Sequence, residues 1–338
     1  MRVVVFGATG NVGTSVLDAL AQRDEVQEIV GVARRTPQKT FAKARFVAAD
    51  ITSDDLVPLV SGADAVVHLA WLIQPSRDQR LVQLVNRLGS HRVFDAVVQA
   101  GVRSLVYASA VGAYSPGPKD REVDESWPTE GIRSSFYSRH KVAVERMLDR
   151  LQAERPELRV VRVRPALIFK AAAATEIRRL FIGQVPPMLL RRTLIPVVPD
   201  MPGLRFQVVH SLDVGDAYAR AVINPYVNGA FNLATEPAIG PPELAEVFGA
   251  RRVRVSPRLA RAAAAGAYRL RLSPTEEGWL DMGLGVPLMD SGRARRELGW
   301  QPAHDALSTL AELIDGMGEA ADLDTPPLAR ALRPTSAH

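Results

Sequence analysis

Tyr137 and Lys141 are the two residues whose types and spacing most directly suggest chemistry. They lie four positions apart within residues 135–152, which have helical periodicity, so their side chains share one helix face. A tyrosine with its ordinary pKa of about 10 exchanges protons poorly at neutral pH, and a neighbouring ammonium group stabilises the phenolate. The spacing therefore predicts that Lys141 lowers the pKa of Tyr137, so that the phenol could exchange protons at neutral pH.

A glycine-rich segment near the start of the sequence, VVVFGATGNVG, predicts a phosphate-binding turn. Its glycines follow a short apolar strand and open an amphipathic helix. Glycines at these positions allow a sharp turn and let the backbone approach a pyrophosphate, whose charge is stabilised by the N–H groups and dipole of the helix. The residues expected to hold a dinucleotide here are Gly7, Thr9, Gly10, Asn11, Val12 and Gly13.

The ends of the second and third strands indicate which dinucleotide binds. NAD would call for an acidic residue about 20 positions beyond the glycines, to bond the ribose 2′-hydroxyl. The sequence instead has Ala33, Arg34 and Arg35, and two guanidinium groups suit a 2′-phosphate. Asp50 and Ile51 are expected beside the adenine. NADP(H) is therefore favoured, and NAD(H) is the alternative. Two structural interpretations stay open: one or both arginines simply face solvent, and Asp50 only forms a turn.

The elements that position these residues read as alternating strands and helices. Six apolar, β-branched runs are separated by helix-length segments over the first 165 residues: RVVVF, EIVGVA, RFVAA, DAVVHLA, SLVYAS and RVVRVRP. Runs that are apolar throughout are typical of parallel strands covered on both faces. The prediction is an α/β fold, a doubly wound parallel Rossmann sheet, whose longest helices lie at 78–99 and 135–152.

Beyond residue 170 the sheet pattern is interrupted, which predicts a smaller C-terminal substrate lobe. The strand-like segments FQVVH and GAFNLA return the chain to the larger unit. We expect a dinucleotide-binding domain from 1–170 and 205–235, and a substrate-binding lobe from 171–204 and 236–319. Residues 320–338 have no apolar period and are predicted to be a mobile tail.

Composition excludes several classes of function. The sequence has no cysteine among its 338 residues, so disulfides, thiol catalysis and cysteine-bound metals are excluded. No metal site is predicted, because the six histidines, at 68, 91, 140, 210, 304 and 338, lack ligand spacing. No signal peptide or membrane span is predicted, which makes a cytoplasmic location the expectation.

The positive charge of the chain does not predict a nucleic-acid partner. The net charge is +5, but the basic residues are scattered and almost all are arginine. Residues 251–271 interleave arginine with apolar residues, which could describe a membrane-surface helix. The favoured interpretation is a solvated helix flank in the smaller lobe, so neither a nucleic acid nor a membrane is expected as a partner.

These features together resemble an extended short-chain dehydrogenase/reductase, the branch that contains NAD(P)-dependent epimerases and dehydratases. The resemblance runs from residue 3 to about residue 315 in family order. It rests on Gly7, Gly10, Gly13, Asp50, HLA at 68–70, Asn86, YASAVGAY at 107–114, Tyr137, Lys141, RPALIF at 164–169, FQVVHSLDVGDA at 206–217 and RRELGWQP at 295–302.

The resemblance implies further cofactor contacts and a small-molecule substrate. Lys141 would bind the nicotinamide ribose, and Asn86 would lie near the cofactor or brace its helix. The other residues expected to border the cofactor are Leu69, Ala70, Tyr107, Ala108, Pro165, Ala166, Leu167 and Ile168, together with Tyr137. Members of the family often dimerise through the two long helices, so a homodimer is expected.

The sequence departs from the family at Ala110, where the resemblance implies a serine or threonine that donates to the substrate oxygen. Loss of one such donor typically lowers the rate by about 10²- to 10³-fold. Ser109 is adjacent and is a candidate substitute, but alternation along a strand directs its side chain to the opposite face. Three explanations stay open: the enzyme works without that donor, it has lost turnover and keeps cofactor binding, or it carries a deliberate inactivating substitution.

Two functions from different classes follow. The first is an NADP(H)-dependent oxidoreductase or epimerase that acts on a hydroxyl or ketone of a small metabolite, with Tyr137 moving the proton. The second is a non-catalytic dinucleotide-sensing or ligand-binding protein on the same fold, which Ala110 favours. The retained Tyr137 and Lys141 favour the enzyme, because a protein that only binds the cofactor does not need the phenol.

Overall fold

A seven-stranded parallel sheet forms the centre of the molecule in the computed structural model, which describes residues 1–73, 77–183 and 185–329. The strands are β1 Arg2–Phe6, β2 Glu28–Ala33, β3 Ala44–Ala48, β4 Ala65–His68, β5 Ser104–Ala108, β6 Glu122–Val123, β7 Arg159–Pro165, β8 Leu167–Phe169, β9 Val197–Asp200, β10 Phe206–His210, β11 Gly229–Leu233, β12 Thr235–Ile239, β13 Arg251–Arg254 and β14 Leu288–Met289. The large sheet has the order β11-β7-β5-β4-β1-β2-β3, which confirms the predicted doubly wound fold.

Helices cover both faces of this sheet. They are α1 Asn11–Ala21, α2 Val57–Val60, α3 Gln79–Gln83, α4 Ser90–Gln99, α5 Phe136–Glu154, α6 Ala174–Ile177, α7 Ser211–Ile223, α8 Pro241–Phe248, α9 Pro257–Arg269, α10 Gly278–Gly285, α11 Gly292–Glu297 and α12 Ala306–Glu319. One core cluster packs α1 and α7 against the sheet, and a second packs α4 and α5 against its other face. Burial on both faces explains why the strands are apolar throughout.

The predicted helix over 78–99 is a single run of three consecutive parts. A π-helical turn at Leu84–Gly89 joins α3 to α4. Such turns insert one extra residue per turn and are frequent at functional sites. Here the π turn carries Asn86, whose side chain is fully buried.

The smaller sheets lie outside the seven-stranded sheet. The predicted strand FQVVH is β10, and it pairs with β8 and β12 in a three-stranded sheet. The basic segment 251–271 is not one helix, because Pro257 starts α9 after the short strand β13. Among the described residues, none of the helices combines the length and the apolar character that a membrane crossing needs.

The prediction of a mobile tail over 320–338 is wrong for residues 320–329, and residues 330–338 lie outside the described part. Leu328 is 0% exposed and Thr325 is 1% exposed. The backbone N–H and hydroxyl of Thr175 both donate to the Ala321 carbonyl. Residues 320–329 form no helix or strand and are held by individual buried side chains. The sequence therefore shows no apolar periodicity there.

Candidate functional site

The glycine turn after β1 is shaped for a close ligand. Gly7 has φ +80°, and a Cβ there would lie 2.7 Å from the Ala70 nitrogen. A Cβ on Gly13 would lie 2.3 Å from the Gly7 oxygen, whereas one on Gly10 would meet only that oxygen, at 3.7 Å. Two glycines are thus required by packing, while the side of Gly10 is open.

The start of α1 presents free backbone N–H groups next to this turn. No side chain caps the helix, and its first turn carries no acidic residue. A helix N-terminus with free donors and no negative charge favours an anion. The arrangement fits the phosphate groups of a dinucleotide.

A cleft of about 230 Å³ opens beside the turn, at the C-terminal ends of the parallel strands. It brings together eight of the predicted cofactor residues: Gly7, Thr9, Gly10, Arg34, Asp50, Ile51, Leu69 and Ala70. The Asp50 carboxylate accepts hydrogen bonds from the N–H and hydroxyl of Thr52 and so also forms a turn. Arg34 is exposed and Arg35 half-buried, and no described residue forms a hydrogen bond or ion pair with either guanidinium group.

The other predicted cofactor residues do not line this cleft. Asn11 to Gly13 form the start of α1, and the Asn11 amide donates to the Ile168 carbonyl at 3.1 Å. Of the segment 165–168, Ile168 therefore reaches the glycine turn. Asn86 accepts from the Leu72 N–H at 2.7 Å and donates to the Leu72 carbonyl at 2.8 Å. Asn86 thus braces the chain that follows β4, in keeping with the structural alternative expected for it.

The cleft also contains residues that the sequence did not identify. They are Trp71, Leu72, Ile73, Val85, Glu176, Leu180 and Pro327. Burial raises the pKa of Glu176 to about 7, against the opposing attraction of Arg179 and Lys170. The tail contributes Pro327, and the Thr325 hydroxyl donates to the Thr9 carbonyl at 2.9 Å. Only the tryptophan directly after HLA offered a signal in the sequence.

Tyr137 and Lys141 lie in the first turns of α5, which Ser135 caps by accepting from the Ser138 N–H. The Lys141 ammonium donates to the Ala108 carbonyl at 2.6 Å. It lies 5.7 Å from the centroid of the Tyr137 ring and 3.5 Å from that of the Trp71 ring. Since Trp71 lines the cleft and touches both residues, the Tyr137–Lys141 pair borders the cofactor cleft.

The pKa values of this pair differ from the sequence prediction. Burial raises the pKa of Tyr137 above its ordinary value. Burial also lowers the pKa of Lys141 to about 7, against the opposing effect of the Glu145 carboxylate. The predicted lowering of the Tyr137 pKa is therefore absent, because a buried lysine near its own pKa supplies only part of a positive charge.

Ser109 does not occupy the place of the hydroxyl missing at Ala110. The Ser109 hydroxyl donates to the Glu145 carboxylate at 2.5 Å, and Ser109 is 3% exposed. The same carboxylate accepts from Arg162 and Arg164, both at 2.9 Å. Strand alternation thus directs Ser109 away from Tyr137, and its interpretation as a substitute donor is corrected. Ala110 is itself buried.

Tyr107 and Ala108 contribute in different ways. The Tyr107 ring packs in the core beside Phe94, and its hydroxyl has no partner among the described residues. Ala108 contributes its carbonyl, which orients Lys141. Neither side chain lines the cleft.

Two histidines that are distant in sequence meet in the fold. The rings of His210 and His304 stack with centroids 3.8 Å apart, and Asp213 lies beside them. The oxygens of Asp213 accept from the N–H groups of Ala303 and His304, while the His210 Nδ1 accepts from the Leu212 N–H. The spacing argument missed this cluster, which ties α7 to the segment before α12.

A model of the NAD dependent epimerase/dehydratase family matches residues 3–234. An uncharacterized protein of Mycobacterium tuberculosis is 28% identical over 316 residues, which are 92% of this chain and 29% of that protein. The chain thus spans less than a third of the length of that relative. The sterol-4-alpha-carboxylate 3-dehydrogenase of Saccharomyces cerevisiae is 27% identical over 180 residues, covering 49% of this chain and 51% of the yeast enzyme.

A solved structure shows the same fold. The UDP-glucose 4-epimerase of Thermus thermophilus, crystallised with NAD, superposes with a TM-score of 0.67. It is 20% identical to this chain and is matched over 94% of this chain and 99% of its own length.

Proposed function

The chain belongs to the NAD dependent epimerase/dehydratase family, and from that premise we propose that it is an NAD(P)-dependent oxidoreductase or epimerase acting on a hydroxyl or ketone of a small metabolite. Tyr137 is the proposed general acid/base. The observation that carries this proposal is the position of Trp71, which lines the cleft beside the glycine turn and contacts both Tyr137 and Lys141.

The chain's own residues suit such a cofactor. The glycine turn and the N-terminus of α1 would hold the pyrophosphate, while Asp50 and Ile51 would border the adenine. Lys141 would bind the nicotinamide ribose. To do so, its ammonium group would have to move away from the Trp71 ring. When bound, the reduced dinucleotide supplies a hydride to the substrate carbon, and the oxidised form accepts one.

Tyr137 supplies the proton part of the reaction. In reduction, the phenol gives its proton to the carbonyl oxygen, so that C=O plus hydride plus proton becomes a secondary alcohol. In oxidation, the phenolate takes that proton back. Where Lys141 is protonated, its ammonium would lower the pKa of Tyr137, and a bound cofactor that excludes water would strengthen this attraction between the two charges.

The test compares the protein with Ala110→Ser, Tyr137→Phe and Lys141→Met in assays of ketone reduction and alcohol oxidation. Activity that Tyr137→Phe abolishes supports the proposal, with nucleotide binding retained in that variant as the control for folding. Activity that appears only with Ala110→Ser identifies a disabled enzyme. Equal activity with and without that substitution shows that the hydroxyl is dispensable.

The alternative function, dinucleotide sensing without turnover, has two observations in its favour. Lys141 already donates to the Ala108 carbonyl and lies against the Trp71 ring, while residue 110 lacks a hydroxyl. Tight nucleotide binding with no hydride transfer by any of the four proteins would establish this alternative.

We also propose that NADP(H) is preferred over NAD(H). Ala33 stands where an acidic residue would favour NAD, and the guanidinium groups of Arg34 and Arg35 have no partner among the described residues. Calorimetric titration should give tighter binding of NADP⁺, and Arg34→Ala with Arg35→Ala should remove that preference. Tighter binding of NAD⁺ by the unmodified protein would contradict it.

A homodimer is proposed on the same family premise. Leu81, Leu84 and Leu88 are between 36% and 47% exposed along the helical run 79–99, at steps of three and four residues. An apolar stripe of this kind is suited to helix packing. Light scattering should give twice the chain mass, and Leu84→Glu with Leu88→Glu should halve it.

A further inference from the structure

The surroundings of Tyr137 are almost entirely apolar. Its ring packs in a cluster with Ile132, Met282, Val286 and Trp279. The Trp279 and Tyr137 rings have centroids 5.1 Å apart, and Trp71 meets Tyr137 edge-on at 5.9 Å. The proposed acid/base is thus flanked by two indoles that come from different parts of the chain.

A third aromatic ring extends this surface into the smaller lobe. The centroids of Phe181 and Trp279 are 5.0 Å apart in an edge-to-face arrangement. Phe181, Trp279, Tyr137 and Trp71 are each half-buried, so each keeps part of its ring accessible. Partly exposed aromatic rings that continue one another are suited to flat or alicyclic ligands.

Hydrogen-bonding groups are scarce on this surface. Among the described residues, nothing forms a hydrogen bond with the indole N–H groups of Trp71 and Trp279, although both nitrogens are buried. The Ser135 hydroxyl already contacts the Met282 sulfur and accepts from the helix backbone. The Tyr137 hydroxyl is therefore the hydrogen-bonding group that this surface offers, since the two indole N–H groups are enclosed by protein atoms. A ligand with one oxygen can pair it with that hydroxyl, whereas each further hydroxyl that stays unpaired would weaken binding by about 10-fold.

We propose, resting on the proposed function, that the substrate is a ketone or secondary alcohol carried on an apolar ring system. Its ring packs against Trp71, Trp279 and Phe181, and its single oxygen meets the Tyr137 hydroxyl. Ala110 agrees with this assignment, because an apolar methyl group stands at the position where the family resemblance implies a hydroxyl.

A second cavity raises the question of whether the substrate is phosphorylated rather than apolar. It has a volume of about 570 Å³ and is lined in part by three cations, Lys119, Arg205 and Arg254. Lys119 and Arg205 donate to each other's backbone carbonyls, and Lys119 also donates to the Gly283 carbonyl. These contacts engage two of the three cations, so the cavity does not by itself argue for a phosphorylated substrate, and UDP-glucose tests that possibility directly.

The first experiment measures ketone reduction with a matched pair. 4-tert-Butylcyclohexanone and 2-keto-myo-inositol share a cyclohexanone ring, but only the second is polyhydroxylated. We expect kcat/KM to be at least 100-fold higher for the apolar ketone, and UDP-glucose oxidation to be slower than oxidation of the corresponding apolar alcohol. Preference for the polyol or for UDP-glucose would overturn the inference.

The second experiment removes the aromatic surface. Trp279→Ala should raise KM for the apolar ketone at least 10-fold, while Trp279→Phe should keep KM within about 3-fold because it keeps a ring. Trp127→Phe is the matched control, since Trp127 donates to the Ser115 carbonyl and is absent from this cluster. An unchanged KM in Trp279→Ala would contradict the assignment.

Binding separates this inference from the proposed function. On protein saturated with NADP⁺ or NAD⁺, calorimetry with 4-tert-butylcyclohexanol and with myo-inositol needs no turnover. Tighter binding of the apolar alcohol, lost in Trp279→Ala, would support the substrate class even if no hydride transfer occurred and the enzyme proposal failed. Tighter binding of the polyol would overturn the class even in an active enzyme.

Discussion

Lys141 and Glu145 lie one turn apart on α5, and their surroundings differ sharply. The Glu145 carboxylate is fully buried and accepts from Ser109, Arg162 and Arg164. Lys141 is nearly as buried, but its ammonium has one carbonyl, that of Ala108, and the Trp71 ring. Three charge-assisted or hydroxyl donors hold the pKa of Glu145 to about 2 despite its burial, whereas burial lowers the pKa of Lys141 to about 7.

The difference separates a structural charge from a functional one. A buried charge with all its hydrogen bonds satisfied fixes the packing around it, and here it joins α5 to β7. A buried charge with few partners keeps a perturbed pKa and free donors, which is the condition expected of a group that acts on a ligand. The two members of this contrast are separated by a single helical turn.

The largest expected effect is on the Glu145 side. Glu145→Ala leaves the buried Arg164 without a carboxylate and Arg162 with Asp149 alone, so it should lower the free energy of unfolding by about 3–5 kcal/mol. Lys141→Met should change it far less, because a poorly solvated ammonium is replaced by an apolar chain. Urea denaturation measures both, and Glu154→Ala, at the exposed end of α5, is the control. Equal losses for Glu145→Ala and Lys141→Met would remove the contrast.

Part of this contrast was visible in the sequence. Arg162 and Arg164 alternate in β7, where the residues between Arg159 and Pro165 are otherwise valines, so both side chains share one face and require a buried partner. Alternation likewise predicted that Ser109 faces away from the Tyr137 side. The parallel strands and the glycine turn were predictable for the same reason, since each depends on local pattern.

The rest depends on contacts between distant segments. The i,i+4 spacing favours a Lys141–Glu145 ion pair, but the carboxylate is taken by two arginines from β7. No local pattern links Trp71, in the loop after β4, to Trp279 on α10, and none predicts that Thr325 reaches the glycine turn. Burial raises the pKa of Tyr137, whereas the spacing predicted that Lys141 lowers it. The spacing of two residues in a sequence carries no information about their burial.

The pH dependence of stability gives a second, smaller effect on the Lys141 side. The pKa of Lys141 is about 7 in the folded state, below its ordinary value of 10.5. Between these values the unfolded state binds the extra proton, so stability rises with pH by up to about 1.4 kcal/mol per pH unit. Below pH 7 both states are protonated and the full penalty applies.

Lys141→Met isolates this contribution, because other titrating groups cancel between the two proteins. Unfolding free energies of both, measured at pH 7.5, 8.5 and 9.5 in urea, should show the unmodified protein gaining relative to the variant at each step. Parallel pH profiles for the two proteins would mean that Lys141 has an ordinary pKa and that its surroundings solvate it as well as those of Glu145.

The smallest effect concerns Ser109 and Ala110, the two residues that follow β5 and lie on opposite sides of the contrast. Ser109→Ala removes one of the hydrogen bonds to Glu145 but leaves both arginines in place, so it should cost about 1 kcal/mol of unfolding free energy. It should leave cofactor binding and turnover unchanged, because the Ser109 hydroxyl faces Glu145 and not Tyr137. Ala110→Ser is the matched change on the other side and should alter turnover with little effect on stability. A 10-fold or greater loss of kcat in Ser109→Ala, with the free energy of unfolding unchanged, would mean that the Ser109 hydroxyl reaches the substrate. The division between a structural Glu145 side and a functional Lys141 side would then fail at Ser109.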